Sequence, residues 1–367
     1  MKNISLFSAI DLGATSLSHR VVMAPLTRLR SDRDGDVPNA LMLEYYRQRA
    51  SEGGLIISEA TAVALNGRGY LGAPGIYSDA QVDGWRGITD AVHAKGGRIF
   101  LQLWHVGRVS HVDMTGGEDP VAPSALSFEG AAFTANGWVP PSPSRALEAH
   151  EIPGIVETFR RAAERAQVAG FDGVEIHGAN GYLLDQFLHD GSNQRSDIYG
   201  GSVENRARLL LEVIEAAVSV WGGDRVGVRL SPGGKFLSMS DSNPEATFDY
   251  VASALNRFGL AYLHIIEPRV NGSEVVVEGQ APVASARLRK IFTGPLIAAG
   301  GFEAEDAQAA IARGDVDLVA FGRHFIANPD LPKRFELDLP LNAYDRNTFY
   351  GGDHRGYTDY PEHAGAQ

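Results

Sequence analysis

Gly173-Val174-Glu175-Ile176-His177-Gly178-Ala179-Asn180-Gly181-Tyr182 reads as a short buried strand, 173–176, running straight into a glycine-punctuated loop. Parallel α/β folds place their chemistry where strand ends turn into such loops. His177 and Asn180 can both donate to one substrate oxygen, and Tyr182 stands beside them as a neutral acid. Such a trio polarises an acceptor and then supplies a proton. Taken alone, the loop reads better as a turn whose His and Asn satisfy nearby backbone groups. The rest of the chain decides the matter.

Seven more short apolar runs follow the same pattern, so the strands fall at 21–24, 55–59, 98–103, 173–176, 226–230, 262–266, 295–299 and 318–321. Helical periodicity fills the gaps at 39–51, 79–95, 152–169, 203–221, 244–258, 282–292 and 303–313, with 329–336 after the last strand. Continuous apolar strands alternating with helices imply a parallel sheet covered on both faces. Eight such units predict an α/β fold of the closed (β/α)8 TIM-barrel type. Ser202 before Val203 and the Asn243-Pro244 pair are sensible helix starts. Residues 6–18, with a turn at Leu12-Gly13, predict an N-terminal hairpin closing the barrel bottom. One excursion breaks the rhythm after strand 3: residues 108–150 are rich in Pro, Gly and Ser, and a connection that long is usually a lid or binding loop. With no internal repeat or low-complexity linker, residues 1–367 are expected to form a single domain with 108–150 as its capping excursion.

A formal net charge of −12 argues against a nucleic-acid partner. The absence of cysteine excludes disulfides, thiolate nucleophiles and Cys-ligated metals. No apolar run approaches the roughly 18 residues needed to span a bilayer, and the N-terminus lacks a signal-peptide core, so a soluble cytoplasmic protein is expected. No HExxH or GxSxG is present, which leaves zinc and serine-nucleophile chemistry unsupported and the metal set empty. Gly67-Arg68-Gly69-Tyr70-Leu71-Gly72 spells the dinucleotide fingerprint, but Pro74 and Gly75 stand where its helix would begin, so it reads as a loop.

Other strand ends are equipped to match the first. Gly300 and Gly301 follow strand 7, and Gly322 and Arg323 follow strand 8, where barrels often bind phosphate. Thr27, Gln102, Trp104 and Arg229 add a hydroxyl, an amide, an indole and a guanidinium at three more ends. Each has a structural alternative, as a cap, a satisfied polar group or an ion-pair partner. Together they describe a cradle for a flat ring with several carbonyls, tethered by phosphate, which suggests FMN.

Several motifs in order make the chain resemble the Old Yellow Enzyme family of FMN-dependent ene-reductases. They are Met23-Ala24-Pro25-Leu26-Thr27-Arg28, Ser58-Glu59-Ala60, Gln102-Leu103-Trp104-His105, His177 to Tyr182 as quoted, Ala320-Phe321-Gly322-Arg323, Phe349-Tyr350-Gly351-Gly352 and Tyr357-Thr358-Asp359-Tyr360-Pro361. Within that family the chain is similar to the bacterial branch containing morphinone reductase, pentaerythritol tetranitrate reductase and N-ethylmaleimide reductase. The resemblance implies that Pro25, Leu26, Thr27, Ala60 and Gln102 line the isoalloxazine, Arg229 sits near N1 and O2, and Gly300, Gly301, Gly322 and Arg323 hold the phosphate. It implies that His177 and Asn180 grip the activating oxygen of the substrate, that Tyr182 donates the proton, and that Tyr70, Trp104 and Tyr350 shape the substrate pocket. A thermophilic-like branch carries Cys where this chain has Thr27, and close relatives can carry a polar residue at Leu237.

The implied activity is NAD(P)H-dependent reduction of electron-poor alkenes (α,β-unsaturated carbonyls, nitroalkenes, maleimides). It would proceed by ping-pong kinetics, with hydride passing from flavin N5 to the β-carbon and Tyr182 protonating the α-carbon. FMN would be tight but non-covalent, with NADPH or NADH as transient donor and a monomer or homodimer as the assembly. Two alternatives stay open at this point: a flavin-free barrel aldolase or isomerase acting on a phosphorylated substrate, and a non-catalytic flavin-binding protein. The physiological alkene, the nicotinamide preference, the stereochemistry and the role of 108–150 are not legible.

Overall fold

Runs of β-branched and large apolar residues form eight barrel strands: β1 (Val21–Met23), β2 (Leu55–Ile57), β3 (Arg98–Trp104), β4 (Gly173–Gly178), β5 (Val226–Leu230), β6 (Tyr262–Ile266), β7 (Leu296–Ala299) and β8 (Leu318–Phe321). The computed structural model describes residues 4–271, 274–275 and 284–366. Each barrel strand pairs in parallel with the next, and β8 returns to β1 through Val319↔Val21 and Phe321↔Met23, which closes the barrel. A ninth strand, Thr61–Ala62, runs beside the end of β3.

Because successive side chains on a strand point to opposite faces, the alternation sorts each strand into a barrel side and a helix side. Val21, Ile56, Ile99, Val174, Ile176, Val228, Ile265 and Val319 belong to the large outer core beneath the helices. Val22, Leu55, Ile57, Phe100, Tyr262, Ile297 and Leu318 belong to a separate inner cluster that also takes Leu12 and Leu17. Those two come from the hairpin Ile10–Leu12/Thr15–Leu17, which turns at Gly13 with φ of 57° and plugs the lower end of the barrel as expected. A Cβ at Gly13 would lie 2.1 Å from the Asp224 carbonyl oxygen, so this turn requires glycine. On β4 the same alternation turns Glu175 and His177 inward, level with Gln102 on β3 and Arg229 on β5 respectively.

The helices Ala40–Arg49, Asp79–His93, Ile152–Val168, Val203–Trp221, Pro244–Leu255, Ala284–Leu288, Ala304–Arg313 and Leu331–Glu336 complete the alternation. Ser202 and Asn243 cap their helices by accepting from the Asn205 and Ala246 amides. The boundaries differ from the sequence reading in instructive places. The second strand ends at Ile57: the Ser58 N–H still donates to the Phe100 carbonyl at 2.9 Å, but the Glu59 N–H leaves the sheet for the Tyr46 hydroxyl. The 244–258 helix passes into a 3₁₀ turn at Asn256–Phe258. Of the expected 282–292 helix, Pro282 and Val283 lie outside the described residues and Ala284–Leu288 is helical. Two short helices, Leu183–Leu188 and Arg323–Ala327, stand where loops were expected. The 108–150 excursion contains a parallel pair, Val121–Ala122 with Arg145–Ala146, and a hairpin, Ala132–Thr134 with Gly137–Val139. Among the described residues no helix is long and apolar enough to cross a membrane.

Candidate active site

The upper ends of the strands surround one cavity of about 660 Å³, within the usual range for a small-molecule or cofactor site. From β1 and the chain after it come Pro25, Leu26 and Thr27, from the chain after β2 Ala60, and from β3 Gln102. His177, Asn180 and Tyr182 enter from β4 and its loop, and Arg229 from β5. Gly300 and Gly301 enter after β7, and Gly322 and Arg323 after β8. Tyr70 and Tyr350 complete the expected set on the wall. Trp104 is the exception: it is 1 % exposed and stacks behind Tyr70, with ring centroids 5.7 Å apart, while meeting the Tyr182 ring edge-on at 5.0 Å. It braces the two tyrosines rather than facing the cavity.

The loop after β4 is shaped for display. Asn180 adopts a left-handed conformation (φ of 58°), followed by Gly181 at 75°, and the Asn180 amide donates to Ser231 Oγ at 2.8 Å. Asn tolerates this region better than most residues. Tyr182 then opens the Leu183–Leu188 helix and sets its ring edge-on to His177 at 5.2 Å. Its hydroxyl stands 3.5 Å from that of Tyr70. Burial, reinforced by the neighbouring Arg229 and His264, holds the His177 imidazole well below its ordinary value, so it is neutral at physiological pH. Burial and the neighbouring Tyr70 push the Tyr182 phenol well above 10, and burial pushes Tyr70 up to about 12. The wall therefore offers neutral donors and protonated phenols.

Below the cavity floor lies a polar layer that the sequence did not announce as functional. Glu175 accepts from Gln102 Nε2 at 2.7 Å and pairs with His264 Nδ1 at 2.8 Å, all three inside the barrel. Burial works to raise the Glu175 carboxyl, but His264, Arg229 and Gln102 outweigh it and hold the group below the ordinary carboxylate range. Burial lowers the His264 imidazole, and the Glu175 carboxylate beside it works against that shift. Arg229 lies just above, and its Nε finds no hydrogen-bond partner among the described residues.

That orphaned, buried guanidinium is the observation that fits a flavin, because it is a fixed cation facing a cavity with a donor to spare. Gly300 and Gly301, with φ of 108° and 66°, form consecutive left-handed turns of backbone beside Arg323, a concavity suited to phosphate oxygens. Among the described residues no lysine lines the cavity, so the Schiff-base chemistry of an aldolase has no nucleophile among them. Sequence reading missed Glu129 and Trp138 at the mouth, both on the 108–150 excursion. The Asn136-Gly137 pair was the available signal for the hairpin that carries Trp138.

The sequence profile of the NADH:flavin oxidoreductase / NADH oxidase family matches residues 5–342. The chain is 48 % identical to 12-oxophytodienoate reductase 2 of Arabidopsis thaliana, over 98 % of this chain and 96 % of that one. Among solved structures, morphinone reductase in complex with tetrahydroNAD superposes with a TM-score of 0.91 at 52 % identity, covering 98 % of each chain. The Old Yellow Enzyme homologue from Zymomonas mobilis superposes with a TM-score of 0.93 at 47 % identity, covering 98 % of this chain and 99 % of that one.

Proposed function

The chain belongs to the NADH:flavin oxidoreductase / NADH oxidase family and is a flavin oxidoreductase with FMN as its cofactor, and from that premise we propose that it reduces electron-poor alkenes. The proposed substrates are α,β-unsaturated carbonyls, nitroalkenes and maleimides, with NADH or NADPH as donor. The observation that carries the reading is the convergence of His177, Asn180 and Tyr182 on one wall of the cavity that Thr27, Gln102 and Arg229 also line. We take residues 1–367 as one FMN-binding barrel domain, with 108–150 as its cap over the mouth.

When bound, FMN would supply the redox chemistry, the relay of hydride between nicotinamide and alkene. Arg229 and Gln102 would hold its pyrimidine edge, Thr27 and Ala60 its ring, and Gly300, Gly301, Gly322 and Arg323 its phosphate. His177 and Asn180 bind the activating oxygen of the alkene. Because His177 is neutral, it stabilises charge developing on that oxygen by hydrogen bonding without surrendering a proton to it. Tyr182 keeps its proton at neutral pH because its phenol is shifted upward, and it delivers that proton to the α-carbon. Tyr70 and Tyr350 confine the substrate, and Trp104 holds Tyr70 and Tyr182 in place. Since nicotinamide and alkene use the same cavity, they must visit in turn.

The test is the visible spectrum of the purified protein, followed anaerobically through addition of NADPH or NADH and then 2-cyclohexenone. Flavin bands that bleach and then return support the reading. Bands that bleach and stay bleached with enones, nitroalkenes and maleimides alike refute the alkene as acceptor.

A further inference from the structure

Glu175 is 0 % exposed in the barrel interior, where a charge is costly and where the apolar cluster around Phe100, Ile297 and Leu318 shows that hydrophobic filling is available. Gly227, its β5 neighbour in register, lacks the Cβ that would otherwise lie 2.2 Å from the Tyr262 ring, so Tyr262 packs into the same layer. The carboxylate oxygens are taken by Gln102 Nε2 and His264 Nδ1. Gln102 must therefore present its carbonyl oxygen, an acceptor, to the cavity. Arg229 feels the same carboxylate through space, but none of its donors is spent on it, and Nε stays unpartnered. Glu175 thus tempers the positive charge of Arg229 while leaving the fork of the guanidinium free.

We propose that Glu175 is a positioning residue for the cofactor, acting through Gln102 and Arg229 to set the hydrogen-bond pattern and the net charge presented to the flavin's pyrimidine edge. This rests on the reading that Gln102 and Arg229 face that edge. A cation there favours the reduced, more negative form of the ring, and Glu175 opposes it. The carboxylate accordingly keeps the flavin a stronger reductant than Arg229 alone would make it.

The test is the equilibrium reduction potential of FMN in the wild-type, Glu175→Gln and Glu175→Asp holoproteins, measured against a redox dye. Glu175→Gln removes the charge with little change of shape and should raise the reduced-to-oxidised ratio at a fixed potential about tenfold, about 30 mV for a two-electron couple. Glu175→Asp keeps the charge and should stay within about twofold of wild type while weakening FMN binding. An unchanged potential in Glu175→Gln overturns the proposal, as do equal shifts in both variants, which would make packing the cause. Should Glu175→Gln fail to hold FMN, Glu175→Asp decides: retained potential with weaker binding supports the proposal, and a large shift refutes it. Arg229→Lys separates this inference from the reading beneath it. If that variant also leaves potential and FMN affinity unchanged, the placement of the flavin edge is wrong. If it moves them and Glu175→Gln does not, only the role of Glu175 falls.

Discussion

Tyr182→Phe removes one oxygen and leaves the ring contacts with Trp104 and His177 in place. Among the described residues that oxygen has one hydrogen bond, to the Tyr70 hydroxyl at 3.5 Å, well beyond the 2.5–3.0 Å of a good O–H···O bond. The stability lost should therefore be under about 1 kcal/mol. Losing a general acid costs about 10²- to 10⁴-fold, or roughly 3–5 kcal/mol of transition-state stabilisation. Tyr70 stands close enough to serve as a poorer substitute, so the lower end, about a hundredfold, is expected, with a further drop in Tyr70→Phe/Tyr182→Phe. Anaerobic stopped-flow spectroscopy follows the two half-reactions separately. The alkene half-reaction should slow by this factor while reduction by the nicotinamide keeps its wild-type rate. An equal loss in both half-reactions, or an untouched alkene half-reaction, would refute Tyr182 as the proton donor.

Three further outcomes are expected. His177→Ala should lower kcat/KM for enones about 10²- to 10³-fold, as loss of one donor to a developing oxyanion does, measured with thermal stability as the control for folding. His105 is buried and its imidazole is held down to about 3 from an ordinary 6.5; the folded state thus binds fewer protons than the unfolded one, so its contribution is present above pH 6.5 and is lost as pH falls toward 3. Urea midpoints should drop across that window with a slope from this residue of at most about 1.4 kcal/mol per pH unit, and a His105→Gln variant with the same drop would exclude it as the cause. Arg28 donates to the Phe349 and Gly356 carbonyl oxygens at 2.9 and 2.8 Å and to Tyr45 at 3.1 Å. Arg28→Ala should cost about 3–5 kcal/mol and raise amide exchange at 348–357; protection unchanged there would show that the segment does not depend on the clamp.

The barrel was legible because its signal is local. Each strand is a continuous apolar run, and the 203–221 helix begins where Ser202 predicts and keeps its expected bounds. Thr27, Gln102, His177, Asn180, Tyr182 and Arg229 were legible as cavity-lining residues for a related reason, since a polar side chain at the end of an apolar run has few structural duties, whereas Tyr70 and Tyr350 came only from the family resemblance. Glu175 was quoted with its strand but carried no role, because its partners lie 73 and 89 residues away on β3 and β6. Nothing in one sequence says which inward-facing positions share a layer. The Arg323–Ala327 helix was hidden because Gly322 and Arg323 had already been read as a phosphate turn, and the Leu183–Leu188 helix because it is short and directly follows the residues, ending at Tyr182, that were read as a display loop. In residues 108–150 the Pro, Gly and Ser content masked a hairpin only a few residues wide.

The buried arginines tie opposite ends of the chain. Arg28, Arg30 and Arg49 reach the carbonyls of Phe325, Ile326, Thr348, Phe349, Asp353, Arg355, Gly356 and Tyr357. These guanidiniums are made early, and the backbone that satisfies them is made about three hundred residues later. As the chain leaves the ribosome, the sheet can close on itself once β8 arrives, while the rim that carries the 48 % exposed Tyr350 is still missing. Three early cations thus hold a place for a wall not yet synthesised, and the vessel acquires its lip only after it has its sides.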